Sequence, residues 1–139
     1  MKLKAKNELR SGRSCVYLLH VPLVFVTKYR KPIFNSAYLH EVERIFKDVC
    51  VDFDAELKEC NGERDHVYLL VNYPPKMAIS KLVNSLKGVS SRLLKKCYPE
   101  IEAYYWNGAL WSPSYFAGSC GGAPLEVIKR YIEQQATPI

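Results

Sequence analysis

An apolar run opened by a histidine and closed by two prolines does most to limit how this chain can fold. Residues Asp65 to Tyr73 read DHVYLLVNY, and Pro74 and Pro75 end the stretch. Side chains of an extended segment alternate in direction, so His66, Tyr68 and Leu70 project one way and Val67, Leu69 and Val71 the other. The Val67 face demands a core. The opposite face carries an imidazole and a phenol at the strand's mouth. His66 is then either an incidental residue of a buried strand or a functional group, and partners elsewhere in the chain decide which.

The flanking segments supply the rest of one sheet. Cys15 to Thr27 (CVYLLHVPLVFVT) reads as a long strand. Pro22 donates no ladder hydrogen bond, so the strand must be bulged, broken or at an edge near that point. After the basic turn KYRKPIF, Ser36 is placed to cap a helix running to about Asp52, with Leu39, Val42, Phe46 and Val49 at helical spacing. Ala55 to Cys60 reads as a second strand, joined through Asn61 and Gly62 to the His66 strand as a hairpin.

A second helix spans about Ala78 to Cys97. Ile79, Leu82, Val83, Leu86, Leu93, Leu94 and Cys97 form its apolar face, with Lys81, Lys87, Arg92, Lys95 and Lys96 outside it. Gly88 costs that helix about 1 kcal/mol relative to alanine, which predicts a close approach to its backbone. Tyr98 to Leu110 reads as an aromatic loop and Trp111 to Ser119 as a fourth strand. Gly121 and Gly122 read as a flexible joint, and Pro124 as the first turn of a last helix reaching about Gln135.

This order gives a ferredoxin-like βαββαβ antiparallel sheet (α+β) with an additional C-terminal helix. A single domain over residues 1–139 is expected, with 123–139 as a mobile C-terminal helix and tail. Both sandwiching helices lie on one face. The free face calls for a ligand, a nucleic acid or a second subunit.

Charge narrows the choice, since 20 Lys and Arg against 14 Asp and Glu give a net +6 that favours an acidic partner such as nucleic acid. The 5 cysteines are scattered with no CxxC pair, and read as reduced, mostly buried thiols of a cytoplasmic protein. No apolar run approaches the roughly 20 residues of a membrane helix, and the polar, basic start lacks a signal-peptide core.

The last helix carries the chemical clue. Leu125, Ile128 and Ile132 make its buried stripe, while Tyr131 and Gln135, four apart, share an adjacent stripe and can point at one site. For DNA contacts, Lys28, Arg30 and Lys31 form a basic turn, and Lys87, Ser90, Ser91 and Arg92 surround the helix glycine where a phosphate backbone could come close. Tyr104, Tyr105, Trp106 and Trp111 could stack on unpaired bases or pack in the core.

Together, VFVTKYRKPIF, DHVYLLV, SKLVNSLKGVSSR, LWSPSYF and GGAPLEVIKRYIEQQ, from about Ser14 to Gln135, make the chain resemble the single-tyrosine HUH transposases of bacterial and archaeal insertion sequences, the TnpA type that moves DNA as a single strand. That resemblance implies Tyr131 as the nucleophile and a Mg²⁺ or Mn²⁺ held by His66 and Gln135. It also implies a second histidine where Tyr68 stands, and often a histidine where Pro22 stands. A neutral phenol is a poor ligand, so Tyr68 implies a weakened metal site ahead of a coordinating phenolate or an inactive copy.

The implied reaction forms a phosphotyrosine at the DNA 5′ end, leaves a free 3′ hydroxyl and is reversed by another strand's hydroxyl. Implied partners are single-stranded DNA with hairpins at the element ends and a second copy in a homodimer that shares its sites. Two other classes stay open: a relic that binds DNA hairpins without cutting, and a ferredoxin-like RNA-binding module.

Overall fold

The computed structural model describes residues 9–12, 14–105, 108–119 and 125–135. A short hairpin comes first, β1 (Arg10–Ser11) with β2 (Val16–Tyr17), followed by β3 (His20–Val26) and α1 (Ser36–Asp52). Then come β4 (Glu56–Gly62), β5 (His66–Asn72), α2 (Ile79–Cys97), β6 (Phe116–Ala117) and α3 (Leu125–Glu133). The main sheet has the order β4-β5-β3-β6 with every neighbouring pair antiparallel. Each helix crossover therefore skips one strand, which is the expected split βαβ arrangement with α3 appended.

The alternation in β5 sorts the sheet's two faces. Val67, Leu69 and Val71 are fully buried beside Phe25, Leu23 and Val21 of β3, beneath Val42, Ile45 and Phe46 of α1 and Leu82 and Leu86 of α2. Each such buried aliphatic side chain contributes about 1.5–3 kcal/mol relative to exposure. Phe25, Phe46 and Trp111 meet edge to face or tilted at 5.7–6.3 Å and close the core. The opposite face presents His66, Tyr68 and Leu70, all half-buried, paired with Val26, Val24 and Pro22.

Several boundaries differ from the sequence expectations for local reasons. The first strand breaks at Leu18–Leu19, and Pro22 lies inside a central strand rather than at an edge. Leu19 accepts from Tyr73, so alternation turns the nitrogen of Pro22 toward β6, where the ladder has only Leu23 and Val24 and ends on Gly118 donating to the Pro22 carbonyl. Asn35, not Ser36, caps α1, accepting from the Tyr38 amide at 2.8 Å.

Asn61 and Gly62 belong to β4 instead of the turn, and the strand carries a register shift between Leu57 and Glu59. A Cβ at Gly62 would meet the end of the Leu39 side chain of α1 and force it to shift. Gly88, by contrast, has nothing within 4 Å of where a Cβ would stand, so the predicted close approach is not made by any described residue. The fourth strand shrinks to Phe116–Ala117; Trp111 forms only an isolated bridge to Thr27 and is buried. Part of the aromatic loop is a 3-10 helix, Pro99–Tyr104.

Of the four described cysteines only Cys50 is buried, while Cys15 and Cys97 are exposed and Cys60 is intermediate. Cys120, Trp106, the Gly121–Gly122 joint, Pro124 and the ends of the 123–139 tail lie outside the described residues. No described helix is long and apolar enough to cross a membrane.

Candidate active site

His66 opens β5 at one end of the free face, opposite Val26, and Tyr68 follows on the same face opposite Val24. Together with Asn61 and Glu63 they form one wall of a cleft of about 620 Å³; Ile128, Lys129, Ile132 and Glu133 of α3 form the other. Ile128 and Ile132 are half-buried, so the expected apolar stripe of α3 faces this cleft without sealing it.

The imidazole is held from behind. His66 Nδ1 is 2.9 Å from Asp65 Oδ1, and Arg30 Nε donates to Asp65 Oδ2 at 3.2 Å. A carboxylate accepts only, so His66 donates from Nδ1, which in the neutral ring leaves the lone pair on Nε2. Arg30 arrives through an unusual turn. Tyr29 and Arg30 both adopt left-handed backbone, with φ of 59° and 54° and no glycine to ease it, at a cost of order 1 kcal/mol or more each. Thr27, fully buried, clips this turn to Asp65: its amide donates to the Asp65 carbonyl (2.9 Å), and its hydroxyl lies 2.8 Å from the Lys31 carbonyl and 3.1 Å from that of Asp65.

Tyr131 and Gln135 do share a site, as their spacing predicts, but not the one His66 faces. The Tyr131 hydroxyl is 2.6 Å from Ser114 Oγ, and its ring lies 5.9 Å from that of Phe116. Gln135 Oε1 accepts from the Ser112 hydroxyl (3.3 Å) and lies 3.2 Å from Ser114 Oγ, competing with the Tyr131 oxygen for its one proton, and Gln135 Nε2 donates to the Tyr131 carbonyl. Gln135 lines a separate pocket of about 210 Å³ with Thr27, Lys28, Tyr29, Ser112 and Pro113. Burial raises the Tyr131 phenol above its ordinary pKa, with the Ser114 hydrogen bond pulling the other way, so the hydroxyl keeps its proton near neutrality.

The serine ledge is itself anchored. Lys87 donates to the carbonyls of Ser112 and Ser114, both at 2.7 Å, and its ammonium sits over the rings of Phe25 (5.5 Å) and Tyr115 (5.6 Å). Burial pushes this ammonium down to about 8. Ser90 is buried, donating to the Lys87 carbonyl and accepting from Trp111 Nε1 at 2.9 Å.

The sequence-predicted DNA contacts thus divide. Lys87, Ser90 and Arg30 are committed to internal partners, Ser91 accepts from the Tyr105 hydroxyl through its carbonyl, and Lys28 rests over Tyr29 at 5.8 Å. Lys31 is half-exposed and Arg92 exposed. Tyr104 is exposed as stacking requires, whereas Trp111 serves the core. Asp65, Thr27, Ser112 and Ser114 were missed at the sequence level, although an acid directly before His66 was a visible signal.

An imidazole oriented by a carboxylate is the usual arrangement of a ligating histidine, so His66 has the geometry to hold a metal ion. The rest of the set is thin. Tyr68 offers a phenol, Gln135 is turned to the serines, and no group of three or more His, Cys, Asp or Glu among the described residues could hold an ion.

Comparison with known proteins fits this architecture. Residues 15–135 match the family described as "Transposase IS200 like". The ISDra2 transposase TnpA of Deinococcus radiodurans is 32% identical over 128 residues, covering 92% of this chain and 91% of that protein. The transposase for insertion sequence element IS200 of Salmonella typhimurium is 29% identical, over 81% of this chain and 74% of that one.

A Deinococcus radiodurans protein of known crystal structure, described as a candidate transposase, superposes with a TM-score of 0.86 at 30% identity, over 93% of this chain and 99% of that one. A REP-associated tyrosine transposase bound to a REP hairpin shares the fold at a TM-score of 0.55 and 10% identity, over 89% of this chain and 69% of that one. With the match spanning nearly every described element from β2 to α3, the chain belongs to the IS200-like transposase family, whose members are DNA strand-transfer enzymes.

Proposed function

We propose that this transposase cleaves and rejoins single-stranded insertion-sequence ends through a 5′-phosphotyrosine on Tyr131. The observation that carries the reading is that α3, the helix that bears Tyr131, forms the wall of the cleft opposite His66. The Tyr131 oxygen attacks the phosphorus, the phenol gives up its proton, the P–O3′ bond breaks, and the departing 3′ oxygen is protonated. The covalent bond conserves the phosphodiester's energy. A 3′ hydroxyl from another strand reverses the step, so no nucleotide cofactor is consumed.

The residues have separate jobs. Tyr131 supplies the nucleophile, and Ser114 holds its hydroxyl until DNA arrives. His66 presents the Nε2 lone pair to the cleft. When bound, a Mg²⁺ or Mn²⁺ held by His66 and Gln135, with Tyr68 a weak or absent third donor, would neutralise charge growing on the phosphate oxygens. Lys28, Lys31 and Arg92 are the proposed phosphate contacts along the approach, and hairpin-bearing ends the proposed substrates.

Turning Tyr131 and Gln135 from the serine ledge to the His66 side requires α3 to relocate. A homodimer provides a route, in which α3 of one chain docks over the His66 strand of the other. Light scattering that found only monomer at working concentration, with DNA bound, would remove this part.

The test uses end-labelled single-stranded element ends with Mn²⁺. A covalent, protease-sensitive adduct that carries the strand 3′ of the cut, and with it a 3′-end label, is expected from the wild type and absent from Tyr131→Phe. Hairpin binding with no adduct from either protein would favour the non-cutting relic that Tyr68 allows.

A further inference from the structure

We propose that Asp65 and Arg30 are positioning residues of this site, locking His66 in the tautomer that is protonated on Nδ1 and keeps the Nε2 lone pair for whatever the cleft binds. The role in catalysis rests on the transposase reading; the tautomer lock itself does not.

Asp65 is fixed from every side. Its main-chain carbonyl takes the Thr27 amide, Oδ2 takes Arg30 Nε, and Oδ1 takes His66 Nδ1. The Arg30 guanidinium on Oδ2 favours the carboxylate orientation that keeps Oδ1 on the imidazole. Arg30 reaches it only because two consecutive bulky residues accept left-handed backbone. Strain of this kind persists where the surroundings enforce it, and here the enforced product is a chain of bonds ending on the cleft's imidazole.

Position along β5 makes that imidazole decisive. Tyr68 takes the next place on the same face, so His66 is the strand's sole ring nitrogen there. The second sheet imidazole, His20, is buried at the far end, with Nε2 3.3 Å from the Asn72 amide. Free histidine prefers its proton on Nε2, which would present a donor to the cleft instead of a lone pair. Arg30, read from sequence as a phosphate contact, is by this account an internal strut.

The experiment records imidazole ¹⁵N–¹H correlations of the full chain without metal, with His66 assigned through His66→Gln. The wild type is expected to show Nδ1 protonated and Nε2 bare. D65A should shift most of the population to the Nε2–H form, D65N should retain the Nδ1–H form by accepting through its amide oxygen, and R30M should give a mixture. Should D65A fail to fold, R30M carries the same readout.

In the cleavage assay D65A is expected to be at least tenfold slower, with D65N recovering most of the rate. An Nε2–H wild type, or a tautomer unmoved in both D65A and R30M, would overturn the lock. A shifted tautomer with unchanged cleavage would overturn the positioning role. The expected tautomers in a wild type that never cleaves DNA would instead remove the strand-transfer reading and leave the lock standing.

Discussion

The hydroxyl of Tyr131 is held 2.6 Å from Ser114 Oγ, on the side of α3 away from the cleft that His66 lines. Ser114 opposes the effect of burial on the phenol by stabilising its ionised form. S114A should therefore raise the Tyr131 pKa beyond its already elevated position. A ¹³C-tyrosine NMR titration checks this, and a fall in the variant would mean that Ser114 serves as acceptor only.

Lys87 predicts a pH dependence of stability. Its folded pKa of about 8 lies below the ordinary 10.5, so between those values the unfolded chain binds more protons than the folded one. Stability contributed through this group therefore rises with pH across that window. After discounting for its partial exposure, the gain is about 1 kcal/mol. Urea melts of the wild type against K87M across the window should show the wild type gaining relative to the variant; a relative loss would contradict the burial assigned to this ammonium.

Tyr68→His restores an imidazole beside His66 on the free face of β5. Mn²⁺ affinity is expected to improve on the order of tenfold, about 1.4 kcal/mol, with faster cleavage. Calorimetric titration and cleavage rates equal to those of the wild type would show that Tyr68 does not limit the metal site.

The thiols separate into two classes. Burial pushes both Cys50 and Cys60 up to about 12, with Glu43 adding to the effect at Cys60, while Cys15 and Cys97 are exposed. Because the thiolate is the reactive form, brief maleimide treatment of the native protein should label Cys15 and Cys97 well before Cys50 and Cys60. Peptide mapping that finds Cys50 labelled as fast as Cys15 would argue against this core.

The sequence was most informative where one periodicity ran long. The alternation of Val67, Leu69 and Val71 fixed the buried face of β5, and the apolar spacing of α1 and α2 located both helices within a residue or so. The hairpin and the strand order followed from short connections. Features that depend on distant partners were hidden. Lys87 looks like a surface lysine until Ser112 and Ser114 arrive from 25 and 27 residues away. Arg30 looks like a phosphate contact because nothing in KYRK announces left-handed backbone without glycine. Tyr131 and Gln135 come together beside Ser114, but their spacing could not say which wall they would face.

Mass spectrometry of the trapped protein–DNA complex tests the central claim most directly. Proteolysis after incubation with a single-stranded element end and Mn²⁺ should yield a nucleotide-bearing peptide whose modified residue is Tyr131, lost in Tyr131→Phe. An adduct located on Tyr68 or any other tyrosine, or the absence of an adduct while strands are cut, would contradict the account.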